Sequence, residues 1–312
     1  MFLKLIAFES LGVRSQATYI QTSDTSIFID PSAALAPRRY NLPPHKIEAL
    51  RLLEVFGSIS SFIQDSEYVI ITHYHYDHHD PGRFIDIDIY RNRTFLVKDP
   101  HHYINLSQKM RADRFLKIVK ERSRKVRIAD GSAIDVGRTQ ILFSHPLPHG
   151  ENNRLGYVLS LCIKDKDSAI LFTSDIEGGP LDDHLQIFKI CSPRIAIIDG
   201  PPTYLLNYSY SMNSFERSLQ FLRLFSRISE LETIILDHHI CRELNYLDKI
   251  SRVIEDFIKA GKRIVNAANF MGIEPRFLEA RRRELYSREP ANGINILKSN
   301  IRSSDVELGD AD

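Results

Sequence analysis

Apolar positions along this chain fall into two rhythms. Short runs rich in Val, Ile, Leu and Phe, bounded by turn residues, predict strands at 2–8, 17–21, 26–29, 68–72, 94–97, 125–128, 140–143, 156–163, 169–173, 195–198 and 233–236. Between them the spacing becomes helical. Residues 44–56 begin with Pro44 and carry Ile47, Leu50 and Leu53 on one side. Residues 100–124 also read as helix. Asn213-Ser214-Phe215-Glu216 resembles a capping box ahead of Leu219 and Leu222. Leu247, Ile250, Ile254, Phe257 and Ile258 continue the pattern, with Gly261 placed to terminate it. Many strands mixed with helices predict a layered α/β or α+β architecture. No linker interrupts 1–285, which reads as a single domain. Residues 286–312 are polar, contain Pro290, Asn292 and Gly293, and are expected to form a loosely attached tail.

Composition narrows the classes. A chain that is 43% hydrophobic can fill a sizeable core, and a net charge of +1 gives no bulk attraction to nucleic acid. Cys162, Cys191 and Cys241 are few and far apart. That argues against a disulfide scaffold and for a reducing compartment, with Cys162 a packed thiol in an apolar strand. The apolar stretch 1–7 is too short for a signal peptide, and no run approaches the roughly 18 apolar residues a membrane span needs. The expectation is a cytoplasmic protein with no membrane association.

The chemistry sits at strand ends. The run 68–72 feeds His73-x-His75-x-Asp77-His78. His73 and His75, two apart, project the same way in extended chain, and Asp77 and His78 follow as the chain turns. Imidazole and carboxylate together suit zinc, and also iron or manganese. One segment cannot complete two sites, because a catalytic zinc takes three protein ligands plus water. Other strand ends supply candidates: 140–143 leads to His145 and His149, 169–173 to Asp175, and 233–236 to Asp237-His238-His239.

The order Asp30, His73-x-His75-x-Asp77-His78, His149, Asp175, His238 resembles the signature motifs of the metallo-β-lactamase superfamily across roughly residues 1–275. The segments 9–15 and 30–45 further resemble a mostly archaeal subgroup known only as predicted metal-dependent hydrolases, which names no substrate. The resemblance implies a four-layer αβ/βα sandwich with metals at one edge. It implies two zinc ions per chain, iron or manganese being the alternatives. His73, His75 and His149 would hold the first ion, Asp77, His78 and His238 the second, and Asp175 would bridge both. Asp30 would orient a ligand without binding metal. His149 is preferred over His145 because Gly150 follows it and a strand opens at 156–158. His238 is preferred over His239 by the register of its strand against that of His73. His79 and His239 would brace ligands or face substrate.

The reaction expected is hydrolysis of an ester, thioester or phosphoester of a small molecule by metal-activated water, with Asp77 or Asp175 taking the proton. Three rivals stand beside it. A nuclease would use the basic stretch 109–127 and Arg281-Arg282-Arg283, although such runs are usually solvated helix faces. A mononuclear iron dioxygenase would use His73, His75 and His149. A non-catalytic metal-binding protein is the third. Arg14, Arg38, Arg39 and Tyr40, and Tyr204, Tyr208 and Tyr210 after Asp199, are candidate cleft residues.

Overall fold

The structure, a computed structural model, describes residues 1–302. The first half of the chain builds one sheet from β1 (Phe2–Phe8), β2 (Gln16–Gln21), β3 (Ser26–Ile29), β4 (Tyr68–Ile71), β5 (Thr94–Val97) and β6 (Lys125–Ile128), in that spatial order. Strands β3 to β6 are parallel. The second half adds β7 (Ala133–Val136), β8 (Thr139–Phe143), the short hairpin β9 (Leu147–Pro148) and β10 (Tyr157–Val158), β11 (Leu161–Asp165), β12 (Ser168–Phe172), β13 (Ile195–Ile198), β14 (Thr233–Leu236) and β15 (Arg263–Val265). Its seven-stranded sheet runs β15-β14-β13-β12-β11-β8-β7, and β12 to β15 are parallel.

Strand alternation creates the layers, because successive side chains leave opposite faces. In β4, Ile70 packs between the sheets while Val69 and Ile71 pack outward under helices. In β12, Ile170 and Phe172 face the first sheet, and Ala169 and Leu171 face helices. Helices α1 (Lys46–Gln64) and α2 (Leu106–Arg122) cover the first sheet; α3 (Met212–Phe225), the single turn α4 (Tyr246–Lys249) and α5 (Ser251–Lys259) cover the second. The result is a four-layer αβ/βα sandwich of metallo-β-lactamase type. Among the described residues, no helix is long and apolar enough to cross a membrane.

Several local expectations are corrected. Helix α1 begins at Lys46 with His45 as its cap, and His45 and Glu48 satisfy each other's backbone amides as a capping box does. Its core face is Ala49, Leu52, Val55, Phe56, Ile59 and Ile63, whereas Ile47 and Leu50 are exposed. Ile47, Leu50 and Leu53 form the neighbouring, more exposed stripe. Helix α2 starts at Leu106, capped by Asn105, and α3 is capped by Ser211 rather than Asn213. The run 156–163 breaks into β10 and β11.

Two corrections are larger. Cys162 is not a free thiol: a disulfide joins it to Cys191, 29 residues on, and only the buried Cys241 is free. The cysteine spacing therefore says nothing for a reducing compartment. We predict that Cys191→Ala lowers the melting temperature by several degrees, the effect of about 2–4 kcal/mol in a chain this size. An unchanged melt would show that the bridge does not stabilise the fold. The C-terminal stretch also docks rather than dangling. After α6 (Ala267–Phe270), α7 (Arg282–Arg288) and α8 (Ile294–Asn300) follow, and Leu297 of α8 is buried in the core above the first sheet. Residues 303–312 of the expected tail lie outside the described residues.

Candidate metal centre

Parallel strands deliver their carboxyl ends to one sheet edge, and polar side chains placed there converge. Asp30 follows β3, residues 72–78 follow β4, Ser174 and Asp175 follow β12, Asp199 follows β13, and residues 237–239 follow β14. Three buried carboxylates fix these turns. Asp30, held at φ 48°, accepts from the backbone N and Oγ1 of Thr72 at 2.8 and 2.6 Å, and its Oδ2 lies 2.8 Å from His78 Nδ1. Asp237 accepts from the amides of Ser10, His238 and Ala267. Asp199 accepts from the amides of Glu177 and Gly178, and its Oδ2 lies 2.8 Å from His239 Nδ1.

Asp175 is the hub. Its Oδ2 has five imidazole Nε2 atoms around it: His78 at 3.1 Å, His238 at 3.3 Å, His149 at 3.5 Å, His239 at 3.6 Å and His73 at 3.8 Å. Its Oδ1 accepts from Gln16 Nε2 at 2.6 Å. His73 Nε2 and His75 Nδ1 face each other at 3.2 Å. Asp77 lies on the other side, with Oδ2 3.6 Å from His238 Nε2 and Oδ1 3.8 Å from His78 Nε2. One carboxylate oxygen cannot satisfy so many imidazoles, and the donor atoms of His73, His75, His149 and Asp175, and separately of Asp77, His78 and His238, lie close enough to share an ion. Buried Nδ1 atoms on His149 and His238 have no hydrogen-bond partner. This donor set fits a metal site.

The structure brings His73, His75, Asp77, His78, His149, Asp175, His238 and His239 together, with Asp30 behind His78. His145 is excluded: it is exposed and lies against Gly131. His79 does not line the cavity. Its Nδ1 lies 2.9 Å from the carbonyl of His75, and its ring packs against Tyr74, Tyr76 and Phe115.

A cavity of about 720 Å³ opens over the cluster. Arg14, Tyr204, Tyr208 and Tyr210 of the expected cleft residues line it; Arg38 is exposed, and Arg39 stacks 4.5 Å from the Tyr204 ring behind the wall. Glu177 and Arg242 also line it, and neither stood out in the sequence. Burial pushes the Glu177 carboxyl up to about 7. Arg242 gave no signal because a lone arginine after a strand has no motif. The basic runs are also less uniform than they read. Arg111 is buried and stacks on Tyr76, and Arg282 is buried against Glu48 at 2.8 Å.

No protein-family model matches the chain. A UPF0282 protein of Saccharolobus islandicus is 47% identical over 285 residues, 91% of this chain and 92% of that protein. The chain belongs to the UPF0282 family. A second UPF0282 protein, from Metallosphaera sedula, is 44% identical over 305 residues, spanning 97% of this chain and 98% of its own length. Among solved structures, the metallo-β-lactamase fold protein YhfI from Bacillus subtilis superposes with a TM-score of 0.51 at 15% identity, over 84% of this chain and 93% of that one. Unliganded yeast PDE1 gives 0.51 at 13% identity, over 85% and 96%. The likeness to YhfI places the UPF0282 chain in the metallo-β-lactamase fold and goes no further.

Proposed function

We propose that this protein is a metal-dependent hydrolase of a small ester, thioester or phosphoester. The observation that carries the reading is the convergence of five buried imidazole nitrogens on Asp175 Oδ2 at the floor of a cavity. In this reading His73, His75 and His149 would hold one ion, Asp77, His78 and His238 would hold a second, and Asp175 would serve both. Zinc is the metal proposed. When bound, the ions acidify water and polarise the scissile bond. The chain's own groups do the rest. Asp77 or Asp175 accepts the proton released by the attacking water. Asp199 fixes Nδ1 of His239, leaving Nε2 on the cavity side to exchange a proton with the leaving group. The cavity volume suits a small-molecule substrate, being within the roughly 300–1,000 Å³ of ordinary ligand pockets.

Elemental analysis of the purified protein, paired with hydrolysis assays on neutral ester, thioester and phosphoester substrates, tests the proposal. Two zinc ions per chain and chelator-sensitive hydrolysis are expected. One iron per chain would favour the oxygenase reading, and a metal-free chain would remove both. Asp30→Ala is expected to weaken metal binding about 10- to 100-fold, because a carboxylate that orients a ligand imidazole contributes that much. Competition against a chromophoric chelator measures it, and an unchanged affinity would reduce Asp30 to a brace for the Thr72 turn.

A further inference from the structure

The cavity wall beside Asp77 and His238 is built of arginine. Arg242 is 4% exposed, and every terminal nitrogen has a placed neighbour: Nε donates to Glu9 Oε2 at 3.3 Å, Nη1 donates to the Tyr204 hydroxyl at 3.2 Å, and Nη2 lies 3.1 Å from His238 Nε2 and 3.9 Å from Asp77 Oδ2. Behind it, Arg14 is paired with Glu279 through two hydrogen bonds of 2.6 and 2.7 Å, and Arg39 lies 3.9 Å from the same carboxylate. Three guanidiniums thus share the Glu9, Glu279 and Asp77 carboxylates, the last of them among the candidate metal ligands. Burial and the Glu279 charge push the Glu9 carboxyl up to about 8, against the pull of Arg242 and Arg14.

This arrangement sets up a competition. Nε2 of a neutral imidazole has one lone pair, which cannot accept from Arg242 and ligate an ion together. If His238 ligates, Nη2 of Arg242 loses that acceptor and keeps the Asp77 carboxylate only at 3.9 Å, beyond hydrogen-bond reach. A cavity-lining guanidinium with a free donor beside a cation site favours an anion that meets both. We propose that this anion is the substrate: the site takes phosphoesters, with Arg242 holding a non-bridging phosphoryl oxygen at the reacting centre. The inference rests on the hydrolase reading above. Position selects phosphoester over an ester with a remote carboxylate, because Nη2 lies within 3.9 Å of Asp77, among the groups that would surround the bond being cleaved. Glu177, which sits against Gly150, and Glu151 also line the cavity. In the reaction, water oxygen bonds to phosphorus and the P–O bond to the leaving group breaks with its electron pair. One water proton ends on the departing alcohol and the other on the product phosphate.

The test uses full-length protein loaded with zinc. Isothermal titration with inorganic phosphate reads anion binding directly, and rates on bis(4-nitrophenyl) phosphate and 4-nitrophenyl acetate read chemistry on a charged and a neutral substrate. Arg242→Met is expected to weaken phosphate binding and lower kcat/KM for the phosphodiester on the order of 10- to 100-fold, the loss typical of a charge-assisted hydrogen bond. Zinc content should stay near two per chain, and the phosphodiester should lose at least about tenfold more than the acetate, which carries no anion at the reacting centre. Arg242→Lys keeps the charge without the fork and should fall between, and Tyr204→Phe, which frees Nη1, gives a milder variant should Arg242→Met fail to fold. Phosphate binding that is absent in the wild type, or equal across these variants, overturns the proposal. Hydrolysis of neither substrate by zinc-loaded protein overturns the hydrolase reading instead, whatever phosphate does.

Discussion

Alanine at both His73 and His75 is expected to abolish metal retention at the first position and to lower hydrolysis by at least about a thousandfold. The magnitude follows from what an ion contributes to such a reaction, several kcal/mol of charge stabilisation at about 1.4 kcal/mol per tenfold in rate. Both imidazoles are buried, and their facing nitrogens are 3.2 Å apart. Neither can be replaced by a neighbour, because His149 and Asp175 already occupy the other sides of that group. Elemental analysis before and after the substitution, with circular dichroism to verify the fold, reads the first effect; the hydrolysis assay reads the second. Unchanged metal content together with unchanged hydrolysis would defeat the metal assignment.

The second large effect concerns stability. Glu279 neutralises Arg14 from 265 residues away, and both side chains are almost fully buried. Burial alone would raise the Glu279 carboxyl, but the Arg14 guanidinium and its hydrogen bonds bring it down to about 2. Because the folded value lies below the ordinary 4.5, the pair's contribution is complete above about pH 4.5 and disappears as pH falls toward 2. Glu279→Gln removes the carboxylate charge paired with a buried guanidinium, a change that costs about 3–5 kcal/mol. A drop in melting temperature on the order of 10 °C at pH 7 is expected, shrinking toward zero as pH approaches 2. Arg14→Met combined with Glu279→Leu should recover much of the loss. A single variant melting like the wild type at pH 7 would show that the pair contributes nothing.

Much of the site was legible because its donors are local to strand ends. The β-branched run of β4 announces its own terminus, and the histidines that follow are neighbours in sequence as in space. Asp175 and His149 carry the same signature in weaker form. Choices within that signature were a different matter. His145 and His149 both follow β8, and only the fold of the intervening hairpin turns one to solvent and the other to Asp175. His238 and His239 both reach Asp175, where a strand register had offered one of them.

Sequence by itself therefore determined the layered class, the strand ends that carry the clustered His and Asp side chains and the kind of atoms that meet there, since periods of two and 3.6 residues and adjacent donors are properties of short segments. Only the tertiary structure decided what surrounds them: the Cys162–Cys191 bridge, the docking of α8, and the arginine wall formed by Arg14 with Glu279 and by Arg242 with Glu9, partners 265 and 233 residues apart. Those pairings depend on how two sheets stack, and no local periodicity encodes which buried charge will find which partner across that distance.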